Sequence, residues 1–113
     1  MEETKHLEEN DQLNQLSMNI LVHAGNARDH LVHSLESLEA MDFTTAKQEV
    51  QAARKEVVIA HGLQTDTLQL EALGEQIRYS TLFCHAQDTL MTAQSEILIG
   101  EHLVRLFETF SQK

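Results

Sequence analysis

His85 and Asp88 stand three residues apart in a stretch that reads as helix, which sets an imidazole and a carboxylate on one side, a turn apart. An imidazole that titrates near neutrality can act as a base, a metal ligand or a nucleophile, and spacing does not choose among the three. The commonest use of a lone helix histidine is a half-buried, hydrogen-bonded one. Cys84 adjoins His85, but consecutive helix residues diverge by about 100°. The two therefore do not form a catalytic couple, and Cys84 reads as a reduced structural thiol. His30 and His33 are also one turn apart; two ligands without a third make a poor metal site, and a polar helix face is the plainer reading. A di-iron bundle wants two Glu-x-x-His pairs on different helices, and only Glu3 to His6 has that form. Gly25 and Gly100 lie inside helical stretches, where a missing side chain lets helices approach closely; no phosphate loop surrounds either.

The elements that must position these groups are helices. From Leu13 the apolar or small positions fall at Leu16, Ile20, Ala24, Ala27, Leu31, Ser34, Leu38 and Met41, in steps of three and four. The rhythm restarts at Phe43, Ala46, Val50, Ala53, Val57 and Ala60 and continues through Gln64 and Thr67 to Ala72 and Leu73. Asp42 is placed to cap the second helix, with Thr45 and Gln48 as an alternative capping box. Gly74 is placed to end it. Ser80 or Thr81 opens a third helix that runs to about Phe110. Zero prolines, few aromatics and abundant Leu, Ala, Glu and Gln agree with an all-α chain. The expectation is three antiparallel helices of about 30 residues, each roughly 45 Å long, in an up-down-up bundle. Residues 1–12 are polar, acidic and aperiodic and read as a flexible tail, leaving residues 13–113 as a single domain.

The third helix has two faces to bury. One arc collects Leu82, Ala86, Leu90, Ala93, Ile97, Gly100, Val104 and Phe107, the ordinary core face. A second stripe, His85, Asp88, Thr92, Ser95, Ile99, Leu103, Leu106 and Phe110, has near-heptad spacing and an apolar second half. A three-helix monomer needs one arc, so the second predicts self-association. Around a symmetry axis each Asp88 would face its own copies, and carboxylates forced together take up protons or hold a hard cation such as Mg2+. The competing reading leaves Asp88 on a solvated face.

The chain has 113 residues, eight Lys and Arg against 18 Asp and Glu, and a formal net charge of −10. That balance excludes the class of proteins that bind nucleic acid through neutralised phosphates, and disfavours anionic membrane surfaces. No apolar run approaches the ~18 residues of a membrane span. One cysteine makes no internal disulfide, and the first residues lack the pattern of a secretion signal, so a cytoplasmic chain is expected.

The segment His85-Ala86-Gln87-Asp88-Thr89-Leu90-Met91-Thr92-Ala93 resembles the active-site segment of the lactose/cellobiose-type enzyme IIA proteins of the bacterial sugar phosphotransferase system. Ala24 to Arg28, Asp42 to Ala46 and Ala60 to Thr65 fit the same pattern in order, so the resemblance runs from about Ile20 to Phe107. It implies a homotrimer of three-helix subunits, with His85 as the phosphorylated residue. It also implies that Asp88 binds a metal on the threefold axis, one Mg2+ per trimer. The implied donor is the histidine-containing phosphocarrier protein and the implied acceptor a cysteine of the cognate enzyme IIB, during uptake of a disaccharide of the lactose, cellobiose or chitobiose type. Two residues depart from the pattern: Thr89 stands where a second histidine is common, and Gly62 where an acidic residue is common in the second helix. The alternative from the residues alone is a non-catalytic oligomeric scaffold or adaptor, or a metal-sensing bundle that depends on Asp88 and not on His85.

Overall fold

Two caps and two left-handed residues decide where the helices begin and end. In the computed structural model, which describes the backbone of residues 2–112 and the side chains of residues 11–112, the elements are α1 (Glu2–Glu39), α2 (Phe43–Ala72) and α3 (Thr81–Ser111), with no strand among the described residues. Asp42 caps α2, its Oδ1 accepting from the Thr45 N–H at 3.1 Å, and the Thr45 hydroxyl and N–H hold its carboxyl below the usual range. Ser80 caps α3 in the same way, its Oγ accepting from the Phe83 N–H at 3.1 Å. Gly74, at φ 97, ends α2 as expected: the Glu75 N–H reaches back to the Leu70 carbonyl at 3.1 Å and the Gly74 N–H to that of Glu71 at 3.0 Å. Met41 does the same at the end of α1, at φ 61, with the Asp42 N–H on the Ser37 carbonyl at 2.9 Å. Met41 is therefore an exposed turn residue and not the last core position of α1.

The expected tail is helical in its backbone: α1 starts at Glu2. Nothing between Glu2 and Gln12 breaks a helix, since no glycine or proline intervenes, and Glu2 and Glu3 suit the positive end of the helix dipole. The side chains of residues 1–10 lie outside the described residues.

The core is narrow and rich in alanine, which lets the helices pack closely. Ile20, Ala24, Ala27 and Leu31 of α1 meet Val50, Ala53, Val57 and Ala60 of α2 and Ala86, Leu90, Ala93 and Ile97 of α3 in one buried cluster. Gly100 serves close packing: a Cβ there would lie 2.5 Å from the Leu31 Cδ1, whereas one at Gly25 would meet nothing within 4 Å. The buried hydroxyls are satisfied, Ser17 donating to the Leu13 carbonyl and Ser34 to that of Ala46, both at 2.7 Å. The α3 core face differs from the expected one at its ends. Phe83 is buried where Leu82 was expected, and Phe107 is half exposed. The Arg28–Glu96 pair sets an offset of 68 residues between the parallel helices α1 and α3. By that offset Glu39 lies level with Phe107, so α1 ends where Phe107 would need it.

Polar and ionic pairs line the three seams and set their register. His23 Nδ1 meets Glu56 Oε2 at 2.6 Å and His30 Nδ1 meets Glu49 Oε2 at 2.7 Å between α1 and α2. Lys47 pairs with Glu108 and Arg54 with Glu101 between α2 and α3, and Arg28 with Glu96 between α1 and α3. The Glu101 carboxylate raises the affinity of the Arg54 guanidinium for its proton. Exposed pairs of this kind add little stability; their use here is alignment.

Gly62 sits mid-helix in α2, exposed, with nothing within 4 Å of an added Cβ and no positive φ to require glycine. Gly62→Ala is expected to stabilise the fold by about 1 kcal/mol through reduced chain entropy and better helix propensity. Thermal unfolding followed by circular dichroism reads this as a midpoint several degrees higher; an unchanged or lower midpoint would show that Gly62 has a use its surroundings do not reveal.

Candidate functional site

The Ser80 cap starts α3, and the burial of Phe83, Ala86, Leu90 and Ala93 sets its rotation, which turns His85 and Asp88 outward. Both are exposed, as is Cys84, on the turn after the helix start. The His85 imidazole makes no hydrogen bond within the chain, and neither does the Asp88 carboxylate, among the described residues. This departs from the usual half-buried helix histidine and leaves both ring nitrogens to solvent or to another molecule. The following turn is locally satisfied: Thr89 Oγ1 donates to the His85 carbonyl and Thr92 Oγ1 to the Asp88 carbonyl, each at 2.8 Å. Thr89, where the family pattern often has a second histidine, thus spends its hydroxyl on its own helix.

Above these two residues the stripe is apolar and open. Ile99, Leu106 and Phe110 are 59%, 52% and 65% exposed in the single chain, and Leu103 is half-buried. Ile99 and Leu103 border an apolar depression of about 230 Å3 between α1 and α3, whose floor is opened by Gly100 against Leu31 and Leu35. The flank of α1 beside it adds Met18, Val22 and Val32, each about half exposed. These three α1 residues were not singled out in the sequence, although each steps outward from the α1 core rhythm by one or two positions.

The remaining candidates do not converge on a site. His30 is held by Glu49 while His33 is exposed, and no group of three or more His, Cys, Asp or Glu side chains stands ready for a metal within the chain, among the described residues. Glu3 and His6 lie outside the described side chains. No helix among the described residues is long and apolar enough to cross a membrane.

The bundle thus presents an exposed histidine on an outward face whose second half is apolar, the kind of exposed patch that marks an interaction surface. The chain belongs to the lactose/cellobiose-specific IIA subunit family of the phosphotransferase system, whose family model matches residues 15–108. Among relatives, it is similar to a lactose-specific EIIA component from Staphylococcus epidermidis, 36% identical over 98 residues that cover 87% of this chain and 94% of the relative. It is also similar to the lichenan-specific enzyme IIA component of Bacillus subtilis, 30% identical over 92% of this chain and 94% of that one. Among solved structures, PtcA from S. mutans superposes with a TM-score of 0.84 at 30% identity, covering 87% of this chain and 96% of that chain. The cellobiose-specific enzyme IIA from Bacillus anthracis gives 0.81 at 28% identity, covering 88% and 91%. The chain is a sugar phosphotransferase component with the all-α, three-helix fold expected of it.

Proposed function

We propose that His85 is the phosphoryl carrier of this component, accepting the group from the phosphorylated histidine-containing phosphocarrier protein and passing it to a cysteine of the cognate enzyme IIB. In the first step an imidazole nitrogen of His85 attacks the phosphorus, the bond to the donor's imidazole breaks, and a phosphoramidate forms on His85. In the second, the enzyme IIB thiolate attacks and His85 leaves as free imidazole. Such transfers depend mostly on holding donor and acceptor in line and on stabilising charge. The observation that carries the reading is the exposure of His85 without a side-chain partner, on the segment that matches the family pattern. The sugar need not touch this chain. The family resemblance implies a disaccharide of the lactose, cellobiose or chitobiose type, and lactose and cellobiose stand in the names of similar proteins.

The apolar second half of the α3 stripe supports assembly as a homotrimer about an axis running along α3. Asp88 then contributes one carboxylate per copy to that axis, a hard oxygen set suited to Mg2+. The Asp88 carboxylate fits this use, being exposed and free of any partner within its own chain, among the described residues. When bound, the ion supplies neutralisation of the three carboxylates, and the transfer itself runs on His85.

Incubation with phosphoenolpyruvate, enzyme I and the phosphocarrier protein, followed by intact mass spectrometry, tests the carrier role. One acid-labile phosphoryl group per chain is expected; no addition to the folded protein would move the assignment to the scaffold reading.

A further inference from the structure

We propose that Arg78 is the cation of the phosphoryl site, its guanidinium held beside His85 to pair with the dianion carried there. This rests on His85 as the acceptor. Arg78 lies in the non-helical connection before α3, and its Nη2 donates to Asn14 Oδ1 at 3.1 Å while Nη1 donates to the Tyr79 carbonyl at 3.2 Å. Asn14 and Arg28 are two heptads apart on the flank of α1 that faces α3, and His85 precedes Glu96 by three helical turns on the flank of α3 that faces α1. Since Arg28 bonds to Glu96 across that groove, Asn14 and His85 border the same groove. The offset of 68 residues places Asn14 level with Leu82, one turn or about 4.5 Å along the axis from His85. A guanidinium on its three-methylene stem, tethered at that level, reaches the space in front of the imidazole.

The distribution of charge makes Arg78 the arginine or lysine placed nearest that level, among the described side chains. Arg28 is level with Glu96, Lys47 and Arg54 pair with Glu108 and Glu101, Lys55 follows Arg54, and Arg105 lies further along α3. All five occupy the far half of the bundle, about 16 Å or more beyond His85 along the axis. Among the residues whose side chains are described, Arg78 is the one Lys or Arg in the half that holds His85. Rotation about an axis running along α3 preserves level, so neighbouring copies would bring only their own Arg78 to this height. A chain of net charge −10 that must receive a phosphoryl group bearing nearly two further negative charges gains from a cation at the point of arrival. The planar fork of arginine matches phosphoryl oxygens in pairs.

Rapid-quench transfer from the phosphorylated phosphocarrier protein, with 31P pH titration of the product, tests this in wild type, Arg78→Gln, Arg78→Lys and Asn14→Ala. Arg78→Gln is expected to slow transfer about tenfold, the worth of one charge-assisted hydrogen bond. It should also raise the pH at which the phosphoryl resonance titrates, a signature that a packing role does not move. Arg78→Lys keeps most of the rate. Asn14→Ala retains the charge but releases its tether and transfers several-fold more slowly, which carries the test should Arg78→Gln fold poorly. Wild-type rate and titration in Arg78→Gln would overturn the proposal, as would equal slowing in the Gln and Lys variants with an unshifted resonance. A wild-type protein that accepts no phosphoryl group would instead refute the role of His85.

Discussion

His85→Ala is expected to fold and assemble as wild type does, and to accept no phosphoryl group at all. Stability is spared because the imidazole is exposed and makes no hydrogen bond among the described residues. Surface substitutions of that kind change stability by no more than about 0.5 kcal/mol. The loss of acceptance is expected to be complete because, among the described side chains, no other histidine stands where it could take over. His23 and His30 are engaged by Glu56 and Glu49 on the α1–α2 seam, which faces away from α3. His102 is 17 residues further along α3 than His85, about 25 Å away along the axis. His61 belongs to α2 and stands beside Thr65, and His33 is in the far half of α1. Mass spectrometry after incubation with the phosphoryl donors, beside a thermal melt of each protein, reads both halves of the expectation. Phosphoryl addition that survives the substitution would show that another histidine is the carrier. A variant that still supports sugar uptake would favour the adaptor.

Helix boundaries were legible in the sequence because their causes are local. Asp42, Ser80 and Gly74 each act on backbone groups within a few residues, and each does what its type and position predict. The core faces were legible for the same reason, since a helix of known phase points its residues by arithmetic. Phe107 went the other way because burial there depends on where α1 stops, a fact about a different element. Residues 1–12 read as a tail in the sequence while their backbone from Glu2 belongs to α1, because absence of hydrophobic period says nothing against a polar helix that merely continues. At the site, His85 and Asp88 were legible as a pair on one stripe, and the family segment singled out His85. Arg78 was not, because it lies in an aperiodic connection and its bond to Asn14 spans 64 residues of sequence. Spacing arguments see along a helix; they do not see across a loop.

In the proposed trimer, Asp88→Leu is expected to leave the assembly intact and to raise its melting temperature, while Ile99→Asp dissociates it. Both residues lie on the same outward stripe of α3, three helical turns apart, and both are exposed in the single chain. If that stripe lines a symmetry axis, wild type holds three carboxylates together at Asp88 at the cost of their repulsion, offset by a cation. Replacing a buried charge cluster by apolar contact is commonly neutral or stabilising by about 1–4 kcal/mol. The same substitution should abolish any effect of a chelator on stability, because the oxygen donors are gone. Ile99→Asp does the reverse, placing a carboxylate with no partner among Ile99, Leu103 and Leu106 of the other copies. An uncompensated buried charge costs about 3–5 kcal/mol per chain, enough to separate subunits while each three-helix core stays folded. Sedimentation velocity distinguishes the cases. A monomeric Asp88→Leu would mean that the cation, and not the apolar half of the stripe, holds the copies together. An Ile99→Asp protein that remains trimeric would place the assembly on another face, and the flank formed by Met18, Val22 and Val32 of α1 is the next surface with the apolar area to supply it.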